Sequence, residues 1–214
     1  MYKTFVISLA ETGSGKHRES AQVMLRRTLS LCDKFHWAVE VFPAINGYEL
    51  QEDDWKKYDL AAPLPSNKSD QKFANLKGAH GFFLSHFTLW NRCVELDEPI
   101  VILEDDADIL APMKLIDSQL DLIKLHDPRR LNKKPRIYGF AAPGAFAYWV
   151  TPVGAKKLIE FSRLHGPQHV DILMGSFVLN WGYLTPPIVK LGPRLGSSTN
   201  PIKHPYIDFV PTGL

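Results

Sequence analysis

Four apolar residues, Ile100-Val101-Ile102-Leu103, run without a break into Glu104, Asp105 and Asp106, and Asp108 follows after a single alanine. Carboxylates this crowded repel one another unless a proton or a cation relieves them, so the stretch is a candidate for cation binding. An oxygen-only donor set suits a hard divalent ion, magnesium or manganese, which takes one or two carboxylates and fills its shell with water and substrate phosphates. Side chains alternate along an extended segment, so Glu104, Asp106 and Asp108 are expected on one side and Asp105 on the other. The plain alternative is an acidic turn solvated by water. A second stretch, Gly13-Ser14-Gly15-Lys16, hints at a nucleotide P-loop, but Ala10 stands where the first glycine is required and His17 where a Ser or Thr should bind magnesium.

The elements that must position these groups follow from periodicity. A short β-branched run after Pro99 suits a central parallel strand covered on both faces, and ligands collect at the carboxyl edge of such sheets. Phe5 to Leu9 reads as the first strand, and Trp37, Val39 and Val41 mark a second that stops at Pro43 before an Asn46-Gly47 turn. Between them helical spacing spans residues 18–35, which makes a right-handed crossover and leaves Arg18, Arg26 and Arg27 near or on exposed faces. Such an arginine is commonly just solvated, although one close to the strand edge can clamp a diphosphate. The polar stretch 60–76 has no periodicity and is expected to be a lid or plain disorder.

From Gly78 to Leu96 the helical pattern returns, with His86 on the apolar stripe as a buried, hydrogen-bonded imidazole. Gly78, Gly81 and Ser85 form a nearly bare second stripe, which calls for a close neighbour, either another element or a nucleotide. After Pro112 a shorter helix carrying Leu115, Ile116, Leu120 and Ile123 is expected. Arg129, Arg130, Lys133, Lys134 and Arg136 then make a basic cluster, read as a solvated loop or as a contact for anionic lipid headgroups or a phosphorylated acceptor. Strands are expected over 137–141 and 145–150, with Thr151 capping a helix that begins at Pro152 and stops at Gly166-Pro167.

With 214 residues, 45% of them hydrophobic, and a net charge of +2, the chain has the size of one well-packed domain and no charge that announces nucleic acid. Cys32 and Cys93 fall on apolar helix faces as small hydrophobes, which favours a reducing compartment. The N-terminus lacks a signal-peptide core and no run approaches a bilayer's thickness, so a cytoplasmic protein is expected, one that is peripheral to the inner membrane at most.

Four passages resemble glycosyltransferase family 25, the bacterial lipopolysaccharide and lipooligosaccharide galactosyltransferases. They are Val6-Ile7-Ser8-Leu9 with its downstream arginine-bearing helix, the Phe42-Pro43-Ala44-Ile45-Asn46-Gly47 turn, Gly78 to His86, and Leu103-Glu104-Asp105-Asp106. A weaker match runs from Tyr148 through Gly154-Ala155-Lys156-Lys157-Leu158 to Val170-Asp171. The resemblance implies an α/β chain with a GT-A fold, a Rossmann-like, mostly parallel sheet with helices on both faces. Residues 1–110 would form the nucleotide-sugar-binding half, 111–195 the acceptor-side half and 196–214 an irregular tail.

It further implies a UDP-sugar donor, UDP-galactose above all, a Mn2+ or Mg2+ ion, inversion at the anomeric carbon and a lipopolysaccharide or lipooligosaccharide core acceptor. By the same resemblance the donor is bound among Ser8, Leu9, Arg26, Asn46, Gly78, Gly81, Ser85, Glu104 and Asp105. The metal falls to Asp106 with Glu104 or Asp108, and His204 in the tail is a further candidate ligand. Asn46 departs from the family, which commonly has aspartate there. Asp171 is the expected general base, because an inverting displacement needs an acceptor-side carboxylate separate from those on the metal; its alternatives are His169 and Asp208, and its plain reading is a helix N-cap or a first-turn residue stabilised by the helix dipole. Two competing readings of the chain are an aspartyl-phosphate phosphatase built on Asp106-Ala107-Asp108 and a donor-binding scaffold without activity.

Overall fold

In a computed structural model of the chain, residues 2–63, 76–128, 144–175 and 178–193 are described. The stretch 60–76, the basic cluster, the strand expected over 137–141, His204 and Asp208 lie wholly or largely outside them. The strands are β1 (Lys3–Ser8), β2 (Glu40–Pro43), β3 (Ile100–Glu104), β4 (Ala107–Ile109), β5 (Leu122–Lys124), β6 (Ala147–Val150), β7 (Trp181–Tyr183) and β8 (Val189–Leu191). Helices α1 (Gly15–Lys34), α2 (Asp54–Lys57), α3 (Lys77–Leu96), α4 (Pro152–His165) and α5 (Val170–Leu173) complete the described elements.

Six strands form one sheet in the order β2-β1-β3-β6-β5-β7, and β4 pairs with β8 in a small antiparallel ribbon. Within the large sheet β6 is antiparallel to both β3 and β5, while the other pairings are parallel. Five strands therefore run in one direction. Alternation along the strands feeds two cores. Phe5, Ile7, Ile100, Ile102, Tyr148 and Val150 pack under α3 and α4, whereas Val6, Val101, Leu103, Trp149 and Cys32 of α1 make the opposite layer. The result is the expected mostly parallel, GT-A-like α/β sandwich.

The element starts and stops obey local chemistry. Thr151 adopts an extended backbone and accepts the Gly154 N–H at 3.0 Å, with Pro152 at the first helical position, and Gly166 ends α4 at φ +79°. The helix expected after Pro112 is absent. Leu115 is 86% exposed, Ile123 belongs to β5, and the Tyr2 hydroxyl takes up both the N–H (2.8 Å) and the carbonyl (3.0 Å) of Ile116, groups that a helix would need for itself. Trp37 lies just before β2 rather than in it, and its indole N–H donates to the Ala111 carbonyl at 3.0 Å.

Candidate functional site

The carboxyl ends of β1, β2, β3, β5 and β7 share one edge of the sheet, and β6 begins there. At its centre β1 and β3 are stitched together. The Ser8 hydroxyl donates to Asp105 Oδ2 at 2.6 Å, the Asp105 N–H donates to the Ile7 carbonyl at 3.1 Å, and Ser8 Oγ accepts the Ala10 N–H at 3.2 Å. Beyond Glu104 the chain does not continue extended. It turns at Asp105-Asp106 and restarts as β4. Thr28 of α1 pins this turn through the carbonyls of Asp105 (2.7 Å) and Ala107 (3.0 Å), and the Gly192 N–H donates to the Asp106 carbonyl at 2.7 Å.

The turn corrects the expectation that Glu104, Asp106 and Asp108 share one side. Glu104 follows Ile100 and Ile102 onto the face covered by α3 and α4. Asp108 is buried on the α1 side, ion-paired to Arg27 and 4.0 Å from Lys190; burial raises its carboxyl while Arg27 pulls it back down. Gly192 allows this approach, since a Cβ there would stand 2.8 Å from Asp108 Oδ1. Asp105 is pushed up to about 7, chiefly by burial and further by the Asp106 charge, with the Ser8 hydrogen bond opposing.

The other candidates divide. Leu9 packs against the core and its carbonyl accepts the Gly13 N–H at 2.8 Å. Asn46 ties the loops after β1 and β2, donating to the Thr12 carbonyl (3.1 Å) and to Glu49 (2.8 Å). Gly81 and Ser85 receive a neighbouring turn. A Cβ on Gly81 would collide with the Ile45 carbonyl and the Gly47 backbone, and Ser85 Oγ accepts the Ile45 N–H at 2.9 Å while donating to the Gly81 carbonyl at 2.7 Å. The close neighbour called for by the bare stripe is therefore this turn, and half-buried Gly78 opens the same helix. Arg26 does not reach the acidic turn. It is exposed and bonds the Gln22 carbonyl of its own helix at 3.2 Å, because one residue of helix rotates the side chain by about 100°; Arg27 takes the inward position instead.

Asp171 lies in α5, whose Val170 and Leu173 join the core beneath α3 and α4. The N-cap is His169, and the Asp171 Oδ1 atom is buried with no hydrogen-bond partner among the described residues. Asp171 is thus not the N-cap, and it stands in the first turn of α5, the position that the plain reading also allowed. Two groups at the same edge were not singled out by the sequence reading. Lys124 ends β5 fully buried. Beside it the Tyr148 hydroxyl accepts the Trp90 indole N–H at 2.9 Å and shares a 2.7 Å hydrogen bond with His86 Nδ1. The signal for Lys124 was a charge inside the apolar run Leu122-Ile123-Lys124-Leu125.

A mostly parallel sheet with an acidic turn closing its central strand is consistent with a GT-A-like glycosyltransferase fold. The profile of glycosyltransferase family 25 (LPS biosynthesis protein) matches residues 1–134, and the chain belongs to that family. Among curated relatives it is 31% identical over 155 residues to a "Glycosyltransferase 25 family member" of Anopheles gambiae, a match that covers 62% of this chain and 26% of the relative. A protein of the same description from Aedes aegypti is 28% identical over 164 residues, covering 65% and 26%. The matches thus span about a quarter of those relatives' length. The weaker passage from Tyr148 to Asp171 lies beyond the residues that the family profile matches.

Proposed function

We propose that this glycosyltransferase moves a hexose, galactose from UDP-galactose, onto a sugar of a lipopolysaccharide or lipooligosaccharide core, with inversion. The observation that carries the reading is the placement of two separate acidic groups, the Glu104-Asp105-Asp106 turn and Asp171, on elements that meet one sheet edge. Ser8 and Asp105, joined across β1 and β3, fix the floor on which the nucleotide would lie. Asp106, with Glu104 or Asp108 as the second carboxylate, is the proposed ligand of Mn2+ or Mg2+. Among the described residues no group of three or more carboxylates, histidines or cysteines gathers into a metal cage, so such an ion would complete its shell with water and the donor diphosphate. When bound, such an ion would stabilise charge on the departing diphosphate. Asp108, engaged by Arg27, also holds the turn.

On the acceptor side Asp171 takes the proton of the attacking hydroxyl. Asp171 is half-buried, and its buried Oδ1 has no hydrogen-bond partner among the described residues, so the carboxylate's acceptor capacity is not used up within the fold. Titration calorimetry with UDP in the presence and absence of Mn2+, followed by a transfer assay with UDP-galactose and truncated core acceptors, tests the reading. Metal-dependent UDP binding with transfer is expected. Binding without turnover on any acceptor would leave a donor-binding scaffold, and no UDP binding would overturn the proposal.

A further inference from the structure

Among the described residues Lys124 is the one lysine or arginine that is fully buried. Its ammonium donates to the Gly144 carbonyl at 2.5 Å, lies 3.1 Å from the Met174 sulfur and sits 5.6 Å from the centre of the Tyr148 ring. One carbonyl and one thioether are poor replacements for the water that an ammonium gives up on burial. The remaining compensation is charge. Burial lowers Lys124 to about 8, while Asp171 and Glu104 both act to keep its proton on.

Register explains why both carboxylates act on it. Lys124 stands opposite Tyr148, which stands opposite Ile102, two residues before Glu104 on the same face. Met174 follows α5 directly, so the helix that carries Asp171 is tied to the same ammonium. The groups facing this spot are Glu104 from β3, Tyr148 from β6, His86 from α3 and Asp171 from α5. Tyr148 and His86 are occupied with each other, and burial, with the Lys124 charge adding, keeps the imidazole neutral. Asp171 and, after it, Glu104 are the carboxylates whose charge reaches the Lys124 ammonium.

We propose that Lys124 is a positioning residue for sugar transfer, its buried ammonium tying the helix that carries acceptor-side Asp171 to the sheet edge through Met174 and the Gly144 carbonyl and giving that carboxylate a positive neighbour. This rests on Asp171 being the base. The test measures kcat, the donor KM and UDP affinity for Lys124→Met, Asp171→Asn and the double variant, each checked for folding by circular dichroism. Lys124→Met should lower kcat at least tenfold with the donor KM within about twofold, and should cost nothing further in the Asp171→Asn background, as expected of two groups acting as a unit. If the Met variant fails to fold, Lys124→Gln, which can still donate to the Gly144 carbonyl but lacks the charge, is judged by the same criteria. Wild-type kcat in the charge-deleted variant, or an equal loss with and without Asp171, would overturn the role of Lys124. Full transfer by Asp171→Asn would instead remove the base, and this inference with it.

Discussion

At Tyr148 a single hydroxyl serves two buried partners, Trp90 and His86. Its removal by Tyr148→Phe leaves a buried indole N–H and an imidazole nitrogen without that partner, a loss of about 1–3 kcal/mol by the usual cost of unmade buried hydrogen bonds. Urea unfolding should show it as a lower midpoint at unchanged slope. His86 adds a pH dependence. Burial lowers it to about 3 from an ordinary 6.5, so between those values the unfolded chain binds the extra proton and stability falls as pH falls. His86→Gln, which keeps an acceptor for Tyr148, should flatten the decline in melting temperature from pH 6.5 to 4; an unchanged slope would assign the acid sensitivity elsewhere. On the donor side Asp106→Asn should cost several kcal/mol of transition-state stabilisation, read from kcat/KM. Undiminished turnover in that variant, or in EDTA, would remove Asp106 from the proposed metal site.

The α3 helix and the turn after β2 meet backbone to backbone. Because a Cβ on Gly81 would strike carbonyl and amide atoms rather than the end of a flexible side chain, Gly81→Ala must push the turn away. A loss of several kcal/mol, within the range of overpacked cores or beyond it, is expected in thermal unfolding. Ser85→Ala, which removes only the hydroxyl that accepts Ile45 N–H, should cost nearer 1 kcal/mol. Equal effects of the two would contradict the steric account. This contact was half legible in the sequence: the bare Gly78-Gly81-Ser85 stripe signalled a close neighbour, but spacing within a helix cannot say which element fills it. The β-branched run 100–104, the long helices and the Thr151-Pro152 cap were readable because each rests on local periodicity or capping. Glu104 to Asp108 misled as one extended run because the turn at Asp105-Asp106 is imposed from a distance, by Thr28 and Gly192. The helix expected after Pro112 failed for a similar reason, since Tyr2, far off in sequence, engages the Ile116 backbone.

For the whole molecule, no helix among the described residues is long and apolar enough to cross a membrane. A lipopolysaccharide acceptor would nonetheless place the enzyme at a lipid surface. We propose that Arg129, Arg130, Lys133, Lys134 and Arg136 give weak contact with anionic headgroups, at about 1 kcal/mol for each basic residue near the surface. Sedimentation with phosphatidylglycerol vesicles should show binding at low salt that is lost as salt screens the charges; no binding at low ionic strength would eliminate the contact. We propose a division of labour at the sheet edge, donor at Glu104-Asp105-Asp106 and acceptor activation at Asp171. The most direct measurement is UDP affinity with Mn2+ alongside the rate of galactose transfer for Asp171→Asn. The expected result is wild-type UDP affinity with transfer reduced roughly 10²–10⁴-fold, the scale of a lost general base. A folded variant that binds UDP normally and transfers sugar at the wild-type rate would contradict it.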